Sequence, residues 1–502
     1  MIKAIAVIDI GMTNKKIALY DEDLSQLDAE YRVFVPKIVD GLETHNLEAM
    51  EEWFLDRLAA SARKYKIDAI TVSAHGATFV YVGADGKPAL PCVYYTHEPG
   101  GDFHERFYAA FGDARDLQRE TCAARFGALI NSAKGIYFAR QRFPNEYEKA
   151  ALVLNYPQYW GYRLTGRAGS DCTYMGCHTY LWDQKRQGFS SVAQALGLSG
   201  LMPEKAQSPW TALGKITAEA AEKTGLGADT IVTLGIHDSG AAMIPHFAFS
   251  RERGFTLNST GTWCVTMTPA RDYGFGEEEI GKPVFFNTSA FDMPVKTAIF
   301  MGGLEMEAWS KALMARHKRE DFPPYDAALF REIIAGADCF LLPGAAADGA
   351  LFPASKARVV EGRRAWSFEE ISRGAGAPPC FDDYARAFAL LRLSLVMQTL
   401  VALEISGLKG GDDLITEGGF RRDDAYNRLL SSALPECRAF LTGVTEASAL
   451  GAAIVAKMAA RAIKIEEIKL DPKYREVEKD EFPGLANYRA AWMELVNSPV
   501  AN

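Results

Sequence analysis

Gly235-Ile-His-Asp238 closes an apolar run at 231–234 and is followed by Ser239-Gly240-Ala-Ala. This pattern reads as a buried strand that delivers a carboxylate to its mouth. Small residues beyond it would let a ligand approach, a placement that suits a general base beside a substrate hydroxyl. The competing reading is that Asp238 caps the helix that follows. Two distant turns bear on the choice. Asp9-Ile-Gly11-Met-Thr13 and Ser259-Thr260-Gly261-Thr262 both set Gly and Thr where backbone N–H groups can line a concavity for phosphate. Gly and Thr are common turn residues, so neither turn is specific alone. A carboxylate with two phosphate-holding turns is the equipment of phosphoryl transfer.

Asp9 stands in an apolar strand, where an unpaired carboxylate is costly. A divalent cation is one natural partner, and Mg²⁺ beside phosphates fits an oxygen ligand best. A salt bridge to Lys16 across the hairpin is the other. Thr416-Glu417-Gly418-Gly419-Phe420 reads as a strand end whose glycines permit close approach of a flat ligand, with a plain helix-entry turn as the alternative. There is no Walker loop, because Gly83-Ala-Asp-Gly-Lys87 runs into Pro88 and reads as a hairpin tip; a dinucleotide fingerprint is also absent.

The elements that must position these groups follow from the pattern. Residues 4–10 and 16–20 predict a β-hairpin around the first turn, and 254–258 and 263–267 repeat it around the second. One such unit opens each half, which suggests a duplicated architecture with a ligand between the halves. Further strands are expected at 68–73, 88–95 and 413–416, and helices at 155–165, 385–406 and 447–460. The boundary is expected near 243–251, giving units of 1–246 and 247–502. The charged tail after Ile463 is expected only to pack on the surface.

The 502 residues exceed one ordinary core, and 48% apolar with 24% charged residues describes a globular protein. A net charge of −9 argues against a nucleic-acid partner. The eight Cys have no repeated spacing, and Cys172, Cys177 and His178 lack a second ligand pair, so reduced thiols in a cytoplasmic protein are expected. No export segment is evident at the N-terminus. The hydrophobic segment 388–408 carries Arg392, Gln398 and Glu404, which fits a buried helix better than a membrane span.

Taken jointly, these motifs resemble the FGGY carbohydrate kinases of the actin, sugar kinase and Hsp70 superfamily. The resemblance covers nearly the whole chain: residues 9–16, Ser73-Ala-His-Gly76, Leu164-Thr-Gly166 with Trp182-Asp183, residues 235–238, Ser259-Thr-Gly-Thr-Trp263, Gly418-Gly419-Phe420, and Glu446 with Gly451-Ala-Ala. Gly-Ile-His-Asp-Ser and Ser-Thr-Gly-Thr-Trp lean toward rhamnulokinase- and fuculokinase-like members. The resemblance implies an α/β fold of two actin-like ATPase domains, each ribonuclease H-like, around a central cleft. It implies Asp238 as general base and Asp9 as organiser of Mg²⁺. Gly11, Thr13, Asn14, Lys16, Thr260, Gly261 and Thr262 would hold the phosphates of ATP, with Gly418, Gly419 and Phe420 at the adenosine. His75, Tyr95, Thr96, His97 and His237 would contact the acceptor.

Two departures stand out. Met12 replaces the family's usual hydroxyl residue, and Tyr94-Tyr95-Thr96-His97-Glu98 carries an imidazole where an acceptor-binding Asp is usual. The second changes which hydroxyl orientations can be satisfied, although His97 could equally be structural. The expected partner is a small sugar or polyol, without nucleic acid or membrane, and a homodimer is a possible assembly. The other reading is a nucleotide-dependent regulatory protein that keeps the clamp without sugar turnover.

Overall fold

Alternation of apolar residues builds two seven-stranded sheets on one plan. The computed structural model describes residues 2–250, 253–346, 351–444, 446–470 and 473–498. In the first sheet, β1 (Ile2–Ile10) pairs antiparallel with β2 (Asn14–Tyr20), which pairs with β3 (Gln26–Val33). On its other side β1 runs parallel to β4 (Tyr65–Ala74). Beyond β4 the sheet continues through β6 (Ile231–Thr233) to β5 (Ala212–Lys215), while the short β7 (Ile236–His237) pairs with the upper end of β4. The second sheet repeats the centre of this arrangement. There β8 (Phe255–Thr260) is antiparallel to β9 (Cys264–Pro269) and parallel to β12 (Asp413–Gly418). It is completed by β10 (Val284–Thr288), β11 (Pro294–Phe300), β13 (Arg438–Leu441) and β14 (Arg475–Glu476), in the order β10–β11–β9–β8–β12–β13–β14.

Helices cover both sheets and join them. On the first, α1 (Leu47–Ala62) buries Met50, Trp53, Phe54 and Leu58, and α2 (Tyr156–Thr165) ends at Gly166. At the join, α3 (Asp238–Phe249) runs through the expected boundary and meets α6 (Ala447–Arg461), where a methyl on Gly451 would lie 1.9 Å from the Ala241 carbonyl. Backbones that close exclude any side chain at the crossing. The second sheet is covered by α4 (Gly302–His317) and α5 (Tyr384–Ser406). By length and composition α5 could cross a membrane, but it is 89% buried within the protein. Its Arg392 pairs with Asp423 at 2.9 Å, so α5 is a core helix.

Three expectations are corrected. Residues 88–95 form no continuous strand; their ladder contacts are isolated bridges, Val82 with Pro88 and Thr44 with Val93, with scattered backbone bonds such as Tyr94 N–H to Glu43 O at 3.1 Å. Pro88 and Pro91 remove ladder donors there. The tail contributes to the core, because the helix Leu485–Asn497 sinks Tyr488 and Trp492 with no exposed surface. These residues recur four apart, the spacing of one helix face. Finally, not every thiol is free: Cys339 and Cys380 are paired, while Cys92, Cys122, Cys172, Cys177, Cys264 and Cys437 are free and buried. A strand and a short turn from one hydrophobic cluster bring the pair together.

Candidate active site at the cleft between the sheets

The carboxylate at the mouth of β7 is set by backbone constraint. Gly235 has φ +83°, and a methyl there would lie 2.7 Å from the Val72 carbonyl, so only glycine permits this turn beside β4. Gln158 donates to the Leu234 carbonyl (2.8 Å) and to Asp171 (2.9 Å). Asp171 in turn accepts from the Thr173 hydroxyl, and the His237 N–H donates to that same Thr173 oxygen at 3.0 Å. Asp238 then opens α3, accepting from the Ser239 N–H at 2.7 Å and the Ser239 hydroxyl at 3.4 Å, both through Oδ1. Asp238 is thus the first residue of α3 and not its cap: His237 stands at the cap position without a side-chain cap bond. Asp238 Oδ2 makes no hydrogen bond among the described residues.

Burial, with the nearby Asp9 charge second, pushes the Asp238 carboxyl up to about 7. The side chain is 34% exposed, and the raised carboxyl reflects the packed surroundings of its Oδ1 side together with Asp9. His237 Nε2 lies 3.2 Å from Asp238 Oδ1. Burial holds this imidazole down at about 3, so at neutral pH the contact is not an ion pair.

Around these residues lies an aromatic and imidazole cluster. The His75 ring is 5.3 Å from Tyr95 and 5.6 Å from His45. His75 Nδ1 donates to the Gly76 carbonyl (3.0 Å), leaving Nε2 without a partner. Burial lowers this ring to about 4. Tyr95 is raised by burial first and by the Asp238 charge second, which places it near the carboxylate. The structure thus brings His75, Tyr95, His237 and Asp238 together. It leaves Thr96 exposed and sets the His97 ring against Phe138 at 5.1 Å.

Both turns close on backbone hydrogen bonds. In the first, the Gly11 N–H donates to Asn14 O (3.0 Å), with Thr13 and Asn14 exposed. Asp9 accepts from Ser448 (3.0 Å) and lies 3.6 Å from Lys16, which reaches Glu446 at 2.8 Å. The cross-hairpin salt bridge is therefore present. Lys15 on the opposite face is buried, donates to Met12 O (2.8 Å), and is lowered to about 8 by burial. In the second, the Gly261 N–H donates to Trp263 O (3.0 Å), and Gly261 and Thr262 are exposed. Thr260 is buried instead: its hydroxyl donates to Glu417 O and accepts from the Phe420 N–H at 2.9 Å.

Gly418 has a structural cause of its own. With φ +80°, its added methyl would lie 1.9 Å from Thr260 O. Beyond it, Gly419 and Phe420 join Met306, Phe322, Pro323 and Arg392 around a cavity of about 490 Å³. Apolar walls and a glycine floor suit a flat ring system. The sequence reading missed Gly303 in the first turn of α4, where a methyl would lie 2.0 Å from Gly261 O. Its only signal is the pair Gly302-Gly303 ahead of an amphipathic run. It also missed His45, Lys15 and His178, which no local pattern marks.

Two sheets on one plan, each with a Gly/Thr hairpin turn, define a two-domain α/β protein. Residues 4–245 match the N-terminal domain of the FGGY family of carbohydrate kinases, and 252–464 match the carbohydrate kinase FGGY C-terminal domain. The chain belongs to the FGGY carbohydrate kinase family. It is 26% identical over 289 residues to a rhamnulokinase of Halalkalibacterium halodurans, covering 54% of this chain and 57% of that one. To an L-fuculokinase of Salmonella typhi it is 24% identical over 281 residues, covering 52% and 56%. The matched region spans little more than half of these relatives' length. The crystal structure of a carbohydrate kinase from Novosphingobium aromaticivorans aligns with a TM-score of 0.80 over 99% of this chain and 98% of that one, at 24% identity.

Proposed function

We propose that this chain transfers the γ-phosphoryl group of ATP to a hydroxyl of a small sugar or polyol. The observation that carries the reading is the Asp238 carboxylate, with Oδ1 held by Ser239 and Oδ2 open to the cleft. Oδ2 accepts the proton as the substrate oxygen bonds to phosphorus and the bond to the β–γ bridging oxygen breaks, releasing ADP. Oδ1, held on the Ser239 N–H, keeps the carboxylate aimed through this step.

The residues present fit Mg²⁺-ATP. Asp9 and Asp238 are near enough for one charge to raise the other's pKa, a repulsion that a divalent cation between them would relieve. Asp9 would hold the ion through water, and the ion would offset charge developing on the phosphates. Thr13 and Thr262 would face the phosphates with exposed hydroxyl groups, Gly261 would leave room for their approach, and the cavity at Gly419 and Phe420 would take the adenosine. His75, Tyr95 and His237 would line the acceptor site. Units of 1–246 and 247–502 remain our proposed division, with the cleft between them.

Relatives named as rhamnulokinase, L-fuculokinase, xylulose kinase and glycerol kinase set the panel. ADP release should depend on one of L-rhamnulose, L-fuculose, D-xylulose or glycerol. An ADP release rate that no member raises, in protein shown to bind ATP, would contradict the reading and favour a nucleotide-dependent regulatory role.

A further inference from the structure

One polar group at the acceptor site has no assigned task. His178 follows the short helix Cys172–Met175, and its carbonyl accepts from Asn131 Nδ2 at 3.2 Å, which fixes the backbone. Its ring is walled by Phe126 (5.8 Å), Phe285 from the second sheet (6.2 Å) and His237 (6.0 Å), all edge-on. Among the described residues the ring nitrogens make no hydrogen bond, although imidazole carries one donor and one acceptor to satisfy. A methyl on Gly76 would lie 3.0 Å from His178 Nε2 and 3.0 Å from His237 Nε2. The two nitrogens therefore converge on the same side of Gly76, and His237 Nε2 also borders the Asp238 carboxylate at 3.2 Å.

We propose that His178 is a specificity-determining residue: with His237 it holds the acceptor hydroxyl adjacent to the one presented to Asp238. This rests on the kinase reading above. The acceptor it fits is a neutral polyhydroxylated carbohydrate, because burial keeps His178 uncharged, lowered to about 4. A neutral ring exchanges hydrogen bonds with a hydroxyl without adding an uncompensated charge. Phe126 and Phe285 flank the His178 ring from opposite halves, so an acceptor lacking that hydroxyl leaves the imidazoles without the partner it supplies. Sites built this way discriminate strongly against acceptors lacking the group.

The test is calorimetric titration of L-rhamnulose, L-fuculose, D-xylulose and glycerol into the wild-type chain, His178→Ala, His178→Gln and Gly76→Ala, with melting curves to confirm folding. His178→Ala should weaken the best-bound acceptor by about tenfold or more and narrow the spread among the four. The affinity for a nonhydrolysable ATP analogue should change less than about twofold. His178→Gln, which keeps a donor and an acceptor, should recover part of the loss. Gly76→Ala should weaken acceptors by pushing both imidazoles aside. Unchanged affinities and an unchanged order in folded His178→Ala would overturn the assignment, as would a wild-type chain that binds none of the four. An acceptor bound but never phosphorylated would defeat the kinase reading alone, leaving the binding comparison to decide on His178.

Discussion

The two hairpin turns share a scaffold and differ in what surrounds them. Each joins antiparallel strands, closes on one N–H to carbonyl bond of 3.0 Å, and has a parallel strand beside it. The first is flanked by charge: Lys15, Lys16, Asp9 and Glu446 cluster about it, and its parallel neighbour β4 leads to His75. The second is flanked by backbone and hydroxyls, with Gly303 and Gly418 each within contact of its carbonyls and an apolar cavity beyond β12. The same fold therefore supports two environments. One half concentrates titratable groups at its turn, and the other presents glycine backbone and hydroxyls at its turn. On the proposed function, acid–base chemistry belongs to the first and nucleotide binding to the second.

The largest test of this division is Asp238→Asn. It should lower turnover by about two to four orders of magnitude while leaving ATP binding intact, as steady-state rates and nucleotide titration would show. Near-normal turnover in a folded variant would break the assignment of acid–base chemistry to the first half.

Acidity should act through that half as well. The base works only as a carboxylate, and Asp238 in the free protein is raised to about 7 by burial and by Asp9. Protonation on the acid side removes the base, so kcat/KM should climb with pH through that region and fall about tenfold per unit below it. A profile flat from pH 5.5 to 8 would contradict the raised carboxyl.

Paired substitutions at glycines sharpen the contrast inside the second half. At Gly418 an added methyl meets Thr260 O at 1.9 Å in a left-handed conformation, so Gly418→Ala should cost about 1–3 kcal/mol of stability. At Gly261 the nearest atom, Trp263 O, is 3.7 Å from an added methyl. Gly261→Val should melt within about 0.5 kcal/mol of the wild type yet bind ATP about tenfold more weakly, by blocking approach to the turn's N–H groups. Calorimetry with nucleotide titration separates the two; similar melting losses would mean that Gly261 is only structural.

The smallest expected effect is at His97, whose ring packs on Phe138. His97→Ala should shift the order of acceptors less than His75→Ala does, measured on the same panel. A larger shift at His97 would move the acceptor site toward residues 95–98.

Much of this was legible because local chemistry repeats. Alternating apolar residues and Gly/Thr turns marked β1–β2 and β8–β9, and the run ending at Asp238 marked β7. Residues 88–95 misled because Val93, Tyr94 and Tyr95 have strand composition while Pro88 and Pro91 limit the segment to isolated bridges. Trp492 was hidden by its charged neighbours, although its four-residue spacing from Tyr488 was present. The Cys339–Cys380 pair spans 41 residues, and no spacing rule links such positions. His178 meets His237 and Phe285, and His45 meets His75 and Tyr156, only through tertiary packing that no single segment encodes.

The account's central claim is that the two unlike halves act as one clamp on nucleotide and acceptor. Small-angle scattering of the free chain, with a nonhydrolysable ATP analogue, with the turnover-competent acceptor, and with both tests it most directly. The account predicts the smallest radius of gyration with both ligands together, because Asp238 follows a strand of the first sheet and the second turn belongs to the other sheet. An unchanged radius in all four states, together with robust acceptor-dependent ADP release and unchanged hydrogen exchange at residues 11–14 and 261–263, would show a preformed site and contradict the clamp.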